Sequence, residues 1–511
     1  MRLAAVSFAF SLAALPAAAQ PAGFDAIFAG YGAEAPGCAV GVKHRAEAPV
    51  LRGYGSADLE HGVAVTPDTV FEAGSVSKQF TAAAVLLLVQ DGKLALGDDI
   101  RKHLPEMPDY GRPITVDMLL SHTSGLRDWG EVMALAGWPR TSRIYTHDEV
   151  LQIATRQKAL NYAPGEAYSY TNTGYSLAGI IVQRLSGKSL ADFTRERIFQ
   201  PLGMTHTAWR DDFRRVVPGR AIAYDREGGA FVQDMPFENT YGHGALLTTV
   251  GDLLIWNDAL TAGKLGGQVS ARMAERATLT SGEKIAHSGS TAGYRAWLAR
   301  YPDQQLSVAL LCNRGDANPT VIGRRVADAF MKPAPPISAD RATPPADLAS
   351  LPGLYADERT GGVLRVAAEG QVLRIVSGPT LSAGAKPGTY SAGDAAFVFT
   401  ADGATRTVER GESTTYRKVE PAAPDAAALA ALAGTYESDE VGAVLRVTVR
   451  DGALALTPSD RPSHPLIATP LYADAFRADG GLVRVVRGAD GRAVALKFTS
   501  SRVYALEFRR R

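Results

Sequence analysis

Ser75 and Lys78 are the pair in this sequence best placed for covalent chemistry. They stand three apart in Ser75-Val76-Ser77-Lys78. A helix that begins at Ser75 puts residues three apart on one face, so the Lys78 amine reaches the Ser75 hydroxyl. A desolvated lysine loses its proton near neutral pH and can take the serine proton, which makes the oxygen a nucleophile. The unpaired N–H groups of the first helical turn suit a developing oxyanion. The spacing alone is weak, because Ser281-Gly282-Glu283-Lys284 shares it. That second copy sits in a turn before a strand-like run, with no helix to align it, and Ser281 reads as a turn residue.

Two further groups carry polar side chains suited to a site. Tyr170-Thr171-Asn172 follows the turn Ala163-Pro164-Gly165-Glu166 and precedes a helical pattern from Tyr175. Alternate residues of an extended segment project from one side, so Tyr170 and Asn172 enter one cleft together. A phenol relays protons and an amide binds a carbonyl. Taken alone, a packed tyrosine beside an asparagine cap is the commoner use of such a triplet. His287-Ser288-Gly289-Ser290 lies on a strand-like segment from Ile285. Gly289 lets a substrate backbone approach, and His287 can donate a hydrogen bond or carry charge. A lone histidine is more often structural.

These residues need a frame. The run Val76–Gln90 is helical and apolar nearly all round from Thr81 to Val89, and Gly92 closes it. Such a helix is buried, and polar residues at its start face a cleft. Tyr175–Leu185 is a second helical run. Cys38–Val42, Val50–Tyr54, Tyr294–Tyr301 and Leu306–Cys312 read as strands. Residues 20–332 thus form a mixed α/β or α+β domain. Five prolines between Pro333 and Pro345 mark residues 333–347 as a linker. Beyond it the pattern turns β-rich and repeats. Leu351-Pro352-Gly353-Leu354-Tyr355 returns as Leu432-Ala433-Gly434-Thr435-Tyr436, and Val363-Leu364-Arg365-Val366 returns as Val444-Leu445-Arg446-Val447, both offset by 81 residues. Two related antiparallel barrels follow, at 348–420 and 425–511, separated by Pro421–Pro424.

At 511 residues the chain exceeds one ordinary core, and its 46% apolar and 21% charged content is that of a globular protein. A net charge of +1 argues against nucleic acid or an anionic membrane held by a general field, so a local pocket must read the substrate. Residues 1–19 read as a signal peptide: Arg2, a short apolar run to Pro16, then Ala17-Ala18-Ala19. No later run is long and apolar enough to span a membrane. The two cysteines, Cys38 and Cys312, lie in apolar strand-like runs and read first as buried free thiols.

The order Ser-x-x-Lys, Tyr-x-Asn, then a basic residue-x-Gly on a strand resembles the serine β-lactamase and penicillin-binding protein superfamily, in its class C-like branch. Leu119-Leu120-Ser121-His122-Thr123-Ser124-Gly125-Leu126 and Gly242-His243-Gly244-Ala245-Leu246-Leu247-Thr248-Thr249, leading to Asp252-Leu253, resemble it too. The resemblance covers roughly residues 30–330. It implies a penicillin-recognising fold: a five-stranded antiparallel sheet with flanking helices and a helical subdomain, its first and last strands side by side. Cys38 and Cys312 then fall on neighbouring strands and are able to pair. By the same resemblance Ser75 is acylated, Lys78 and Tyr170 share acid and base work, Asn172 orients the scissile group, and the N–H groups of Ser75 and Ser290 form the oxyanion hole. No metal or other cofactor is implied, since no histidine cluster has ligand spacing.

One departure bears on specificity. Members that act on a terminal carboxylate carry Lys where this chain has His287, whereas His-x-Gly resembles the D-aminopeptidases and some esterases. A catalytic domain followed by two barrels resembles D-aminopeptidases as well, whose last barrel sends a loop toward the active site. The implied activity is release of N-terminal D-amino acids from short peptides or amides. An anionic or hydrogen-bonding group for the substrate amine is then expected, with the last barrel as a source and Asp474, Asp479 and Asp490 as equal candidates. The alternatives are a carboxylesterase, a D,D-peptidase or β-lactamase-like hydrolase, and a slowly acylated periplasmic sensor. The expected partner is a small peptide, amide or ester in the periplasm, and a homodimer is compatible with the sequence.

Overall fold

The strand-like runs at the two ends of the first domain become neighbours in one antiparallel sheet. In chain order its strands are β1 (Cys38–His44), β2 (Val50–Tyr54), β3 (Leu279–Ser281), β4 (Lys284–Thr291), β5 (Tyr294–Tyr301) and β6 (Leu306–Cys312), arranged β3-β4-β5-β6-β1-β2. The five expected strands are extended by β3, a three-residue edge. Ser281 and Lys284 are partners across the β3–β4 hairpin. They lie on separate strands, so the second Ser-x-x-Lys copy has no helical alignment. This computed structural model describes residues 23–140, 142–276, 279–281, 284–331, 348, 350–370, 372–376, 378–384, 386–392, 395–408 and 413–511. The expected signal peptide and the proline-rich linker lie outside the described residues.

The described residues form two units. The first takes the residues up to 93, 186–237 and 241–331; the second takes 94–185, 238–240 and those from 348 onward. In the first, β1 pairs with β6 so that Cys38 opposes Cys312. The two are joined as a disulfide with their Cα atoms 4.0 Å apart. The reading of buried free thiols is therefore corrected: both side chains are buried, but the β1–β6 register, invisible in either run alone, sets them face to face. One face of the sheet packs Val40, Trp297, Val308 and Leu310 against Phe24, Phe28, Ile322 and Val326, the last two from helix Pro319–Phe330. On the other face helix Val250–Thr261 brings Val250 and Leu254 against Gly41. Its Trp256 donates to Gln79 at 2.8 Å and lies 4.3 Å from the Phe80 ring, which ties the sheet to helix α1 (Lys78–Gln90).

The second unit holds helices α2 (Trp129–Leu135) and α3 (Asn172–Ser186) and two closed eight-stranded barrels, Gly353–Val419 and Gly434–Arg510. The 81-residue repeat has a physical basis. Tyr355 and Tyr436 are fully buried, and each donates its hydroxyl to the carbonyl four residues earlier, Leu351 at 2.6 Å and Leu432 at 2.9 Å. Each also opposes the repeated leucine, Leu364 or Leu445, on the next strand. Leu354, Ala356 and Val419 of the first barrel pack on Leu471, Tyr472 and Leu482 of the second. Trp129, Val132 and Met133 share a core with the second barrel. Among the described residues no helix is long and apolar enough to cross a membrane.

Candidate active site

Ser75 lies in a 3₁₀ turn, Gly74–Ser77, and α1 begins only at Lys78. The expected helix start at Ser75 is thus a tighter turn. Its effect on the pair is favourable, because side chains three apart eclipse in a 3₁₀ turn. Lys78 is fully buried, and its Nζ donates to Ser75 Oγ at 3.3 Å and to the His243 carbonyl at 2.6 Å. Ser75 itself is half-buried. The stretch Gly242–Thr248 explains its own presence in the resemblance: it is the seat of this turn. Gly242 accepts from Thr81 Oγ1 at 2.7 Å, Leu246 N donates to Ser77 Oγ at 3.1 Å, and Ala73 N donates to the Leu246 carbonyl at 2.8 Å. Three residues before the serine, Glu72 is fixed by a buried ion pair with Arg210 at 2.8 Å.

Strand β4 runs against the same turn. Gly74 has φ +50°, and a Cβ there would stand 2.5 Å from Ser290 N. A Cβ on Gly289 would stand 2.0 Å from the Ala73 carbonyl oxygen and 3.1 Å from Ser75 N. Two glycines therefore allow the backbones carrying Ser75 and Ser290 to meet. Gly289 serves this chain-to-chain approach, a use the sequence reading did not anticipate. His287 is buried on β4, and its Nδ1 meets the Ser288 carbonyl at 2.5 Å. A carbonyl only accepts, so Nδ1 donates in this contact. Ser290 is exposed. The first unit thus brings together Ser75, Lys78, His287, Gly289 and Ser290.

Tyr170 and Asn172 belong to the second unit. The expected extended segment ends sooner than read, because α3 already starts at Asn172. Asn172 is buried, and its N–H donates to Asp128 Oδ2 at 2.7 Å. Asp128 also caps α2 by accepting from Gly130 N and Glu131 N. The Tyr170 ring lies 4.3 Å from the ring of His122. His122 Nδ1 accepts from Thr171 N at 3.2 Å, and the His122 carbonyl accepts from Ser169 N and the Tyr162 hydroxyl. The Leu119–Leu126 stretch is thus the seat of the Tyr170 segment, as Gly242–Thr248 is of the Ser75 turn.

A loop of the second barrel, between strands Ala493–Ser500 and Leu506–Arg510, also reaches this segment. Arg502 stands 4.8 Å over the Tyr170 ring and 4.0 Å from Asp128. Glu131 holds the loop by accepting from Ser500 Oγ, from Ser501 Oγ at 3.2 Å and from Arg502 N at 3.1 Å. Burial pushes the Glu131 carboxyl up from its ordinary range, the Ser500 hydrogen bond opposes this, and Asp128 reinforces it. Asn161 receives Tyr504 N and donates to the Arg502 carbonyl. Sequence reasoning missed Arg502, Glu131 and Asp128, none of which stands in a repeated or spaced motif. Of the three aspartates considered for a substrate amine, Asp474 is engaged by Arg487 at 2.6 Å. Asp490 holds its own turn through Arg492 N, and Asp479 is exposed. On the first unit's surface Asp58, Glu60 and His61 place ligand atoms within 4.8 Å of one another. Asp58 is already occupied there by His61 and two backbone N–H groups.

The Beta-lactamase family model matches residues 24–330. A D-aminopeptidase of Gluconobacter oxydans is 27% identical over 433 residues, which are 80% of each chain. A penicillin-binding protein of Bacillus subtilis is 29% identical over 296 residues, 51% of this chain and 64% of that protein. Among solved structures, the octameric penicillin-binding protein homologue from Pyrococcus abyssi shares the fold with a TM-score of 0.52 at 22% identity, over 83% of this chain and 94% of that one. The chain belongs to the Beta-lactamase family and is a serine hydrolase.

Proposed function

We propose that the protein releases N-terminal D-amino acids from short peptides or amides through an acyl-enzyme on Ser75. The observation that carries the reading is the buried Lys78 amine, hydrogen-bonded to Ser75 Oγ and to the His243 carbonyl. Burial disfavours the charged amine, and a neutral amine accepts the serine proton as Oγ attacks the scissile carbonyl. The carbonyl oxygen turns anionic against the N–H groups of Ser75 and Ser290. Asn172 orients the scissile group; the C–N bond breaks as Tyr170 passes a proton to the leaving amine, and Tyr170 regains the proton that Lys78 took from Ser75. A water that gives its proton to the neutral Lys78 then attacks the ester, and the Ser75 hydroxyl is restored.

Specificity for an amine-bearing substrate is supported by His287. Its imidazole is not the permanent cation that a substrate carboxylate would want. Similarity to a D-aminopeptidase, extending beyond the catalytic residues, supports the same reading. Export to the periplasm is supported by the leader pattern of residues 1–19 and by the Cys38–Cys312 pair, which suits an oxidising compartment.

Steady-state hydrolysis of D-alanine and L-alanine p-nitroanilides, with Ser75→Ala as control, tests this. Release from the D-isomer only, lost in the variant, is expected. Turnover of simple esters without release from either anilide would instead establish a carboxylesterase.

A further inference from the structure

The two barrels of the second unit, with Tyr168, line an open cavity of about 790 Å³, within the range of small-molecule sites. Three guanidiniums line it: Arg359 and Arg406 from the first barrel and Arg477 from the second. None of the three forms an ion pair with another described residue. Guanidiniums stay charged at any physiological pH, and their planar fork matches a carboxylate. Arg359 is held in place, its guanidinium 5.4 Å over the Tyr504 ring and 5.7 Å over that of Tyr162.

Two carboxylates also line the cavity, and they differ in availability. Asp357 is consumed by its own turn, accepting from Arg359 N at 2.8 Å, Thr360 N at 3.1 Å and Thr360 Oγ1 at 2.7 Å. Asp479 is exposed at the hairpin between strands Ala475–Ala478 and Gly481–Arg487. The remaining balance of the cavity is positive. Its position links it to the Tyr170 segment in two ways. Tyr168, two residues before Tyr170 and 5.6 Å from the same His122 ring, lines the wall. Tyr504, on the loop that lays Arg502 over Tyr170, lines it as well.

We infer that this cavity binds the carboxylate-bearing far end of a short acidic peptide, so that the barrels recognise the leaving portion of a peptide substrate. The inference rests on the proposed peptide-hydrolase reading and gives it a substrate class. His287 is not a permanent cation, whereas the three arginines of the barrels are.

The test is calorimetric titration of the full chain with an N-acetylated Gly-Glu-Gly peptide bearing a free carboxylate, and with the neutral Gly-Gln-Gly amide. The acetyl group blocks aminopeptidase cleavage, so binding is read without turnover. The acid is expected to bind at least about tenfold more tightly than the neutral peptide, the scale of one charge-assisted contact. The double variant Arg359→Ala, Arg477→Ala should lose that preference while retaining its circular dichroism spectrum. The single variant Arg477→Gln, which leaves the Arg359 stack untouched, should lose part of it. Equal binding of the two peptides, or an unchanged preference in the variants, would overturn the inference. So would equal affinity for an oligogalacturonide, which would make the cavity a carbohydrate site. Peptide binding without anilide hydrolysis would instead count only against the D-aminopeptidase reading.

Discussion

At the residue scale, Lys78 carries the most weight. Its amine donates to a serine hydroxyl and to a backbone carbonyl. Lys78→Met keeps the stem and removes the proton acceptor, and general-base loss of this kind lowers kcat by roughly 10²–10⁴-fold. Single-turnover acylation should fall in the same proportion, with unfolding unchanged in cooperativity. Glu131 supports a different experiment. Its folded pKa lies above its unfolded value because burial outweighs the hydrogen bond from Ser500. The native state therefore holds more protons than the unfolded state between the two values, and this contribution to stability declines as pH rises through the raised pKa. Glu131→Gln does not titrate. The stability gap between wild type and variant should move in the variant's favour as pH rises from about 4, the ordinary glutamate value, through the raised one. Urea unfolding across that range measures it, and a gap constant with pH would count against the assignment.

At the scale of elements, the Ser75 turn and β4 act as one part. Gly289→Ala forces a Cβ to within 2.0 Å of the Ala73 carbonyl oxygen, and backbone rather than a side chain must move. Overpacking of this kind costs about 1–3 kcal/mol. The Ser75 and Ser290 N–H groups should separate with it, so kcat should fall more than the thermal midpoint shift alone explains. Thermal melting and anilide kinetics on one preparation would show both. The strands that flank this part were legible in sequence: β2, β5 and β6 coincide with apolar runs bounded by turn residues. The helix starts were less so. The sequence pattern leaves Asn172 in an extended segment, but Asp128 accepts its backbone N–H and so permits a helix to begin there. That carboxylate lies 44 residues earlier in the chain, where local periodicity says nothing of it.

At the scale of the whole molecule, the Cys38–Cys312 bridge spans 274 residues of sequence and closes nearly the entire first domain. Removing a native disulfide of long separation costs about 2–5 kcal/mol, chiefly by freeing the unfolded chain. Cys312→Ser should lower the denaturant midpoint to the value of the wild type in reductant, and further reductant should leave the variant unchanged. The described units also cut across chain order. Residues 94–185, which carry Tyr170, fold with the barrels, joined by the buried Arg127–Glu440 ion pair and by the Arg127 donation to the Tyr504 carbonyl at 3.0 Å.

The sequence by itself determined what is local. Ser75 and Lys78 align because their spacing equals one helical turn, and the barrels announce themselves because a buried tyrosine and its opposing leucine recur together. Tertiary structure alone decided the rest: the His243 carbonyl on Lys78, 165 residues away, the disulfide register, and the Glu131–Arg502 clasp on the Tyr170 segment. Each of these joins groups that no common period connects. Chain folding brings them within hydrogen-bond reach, and only then do burial and charge give them a role.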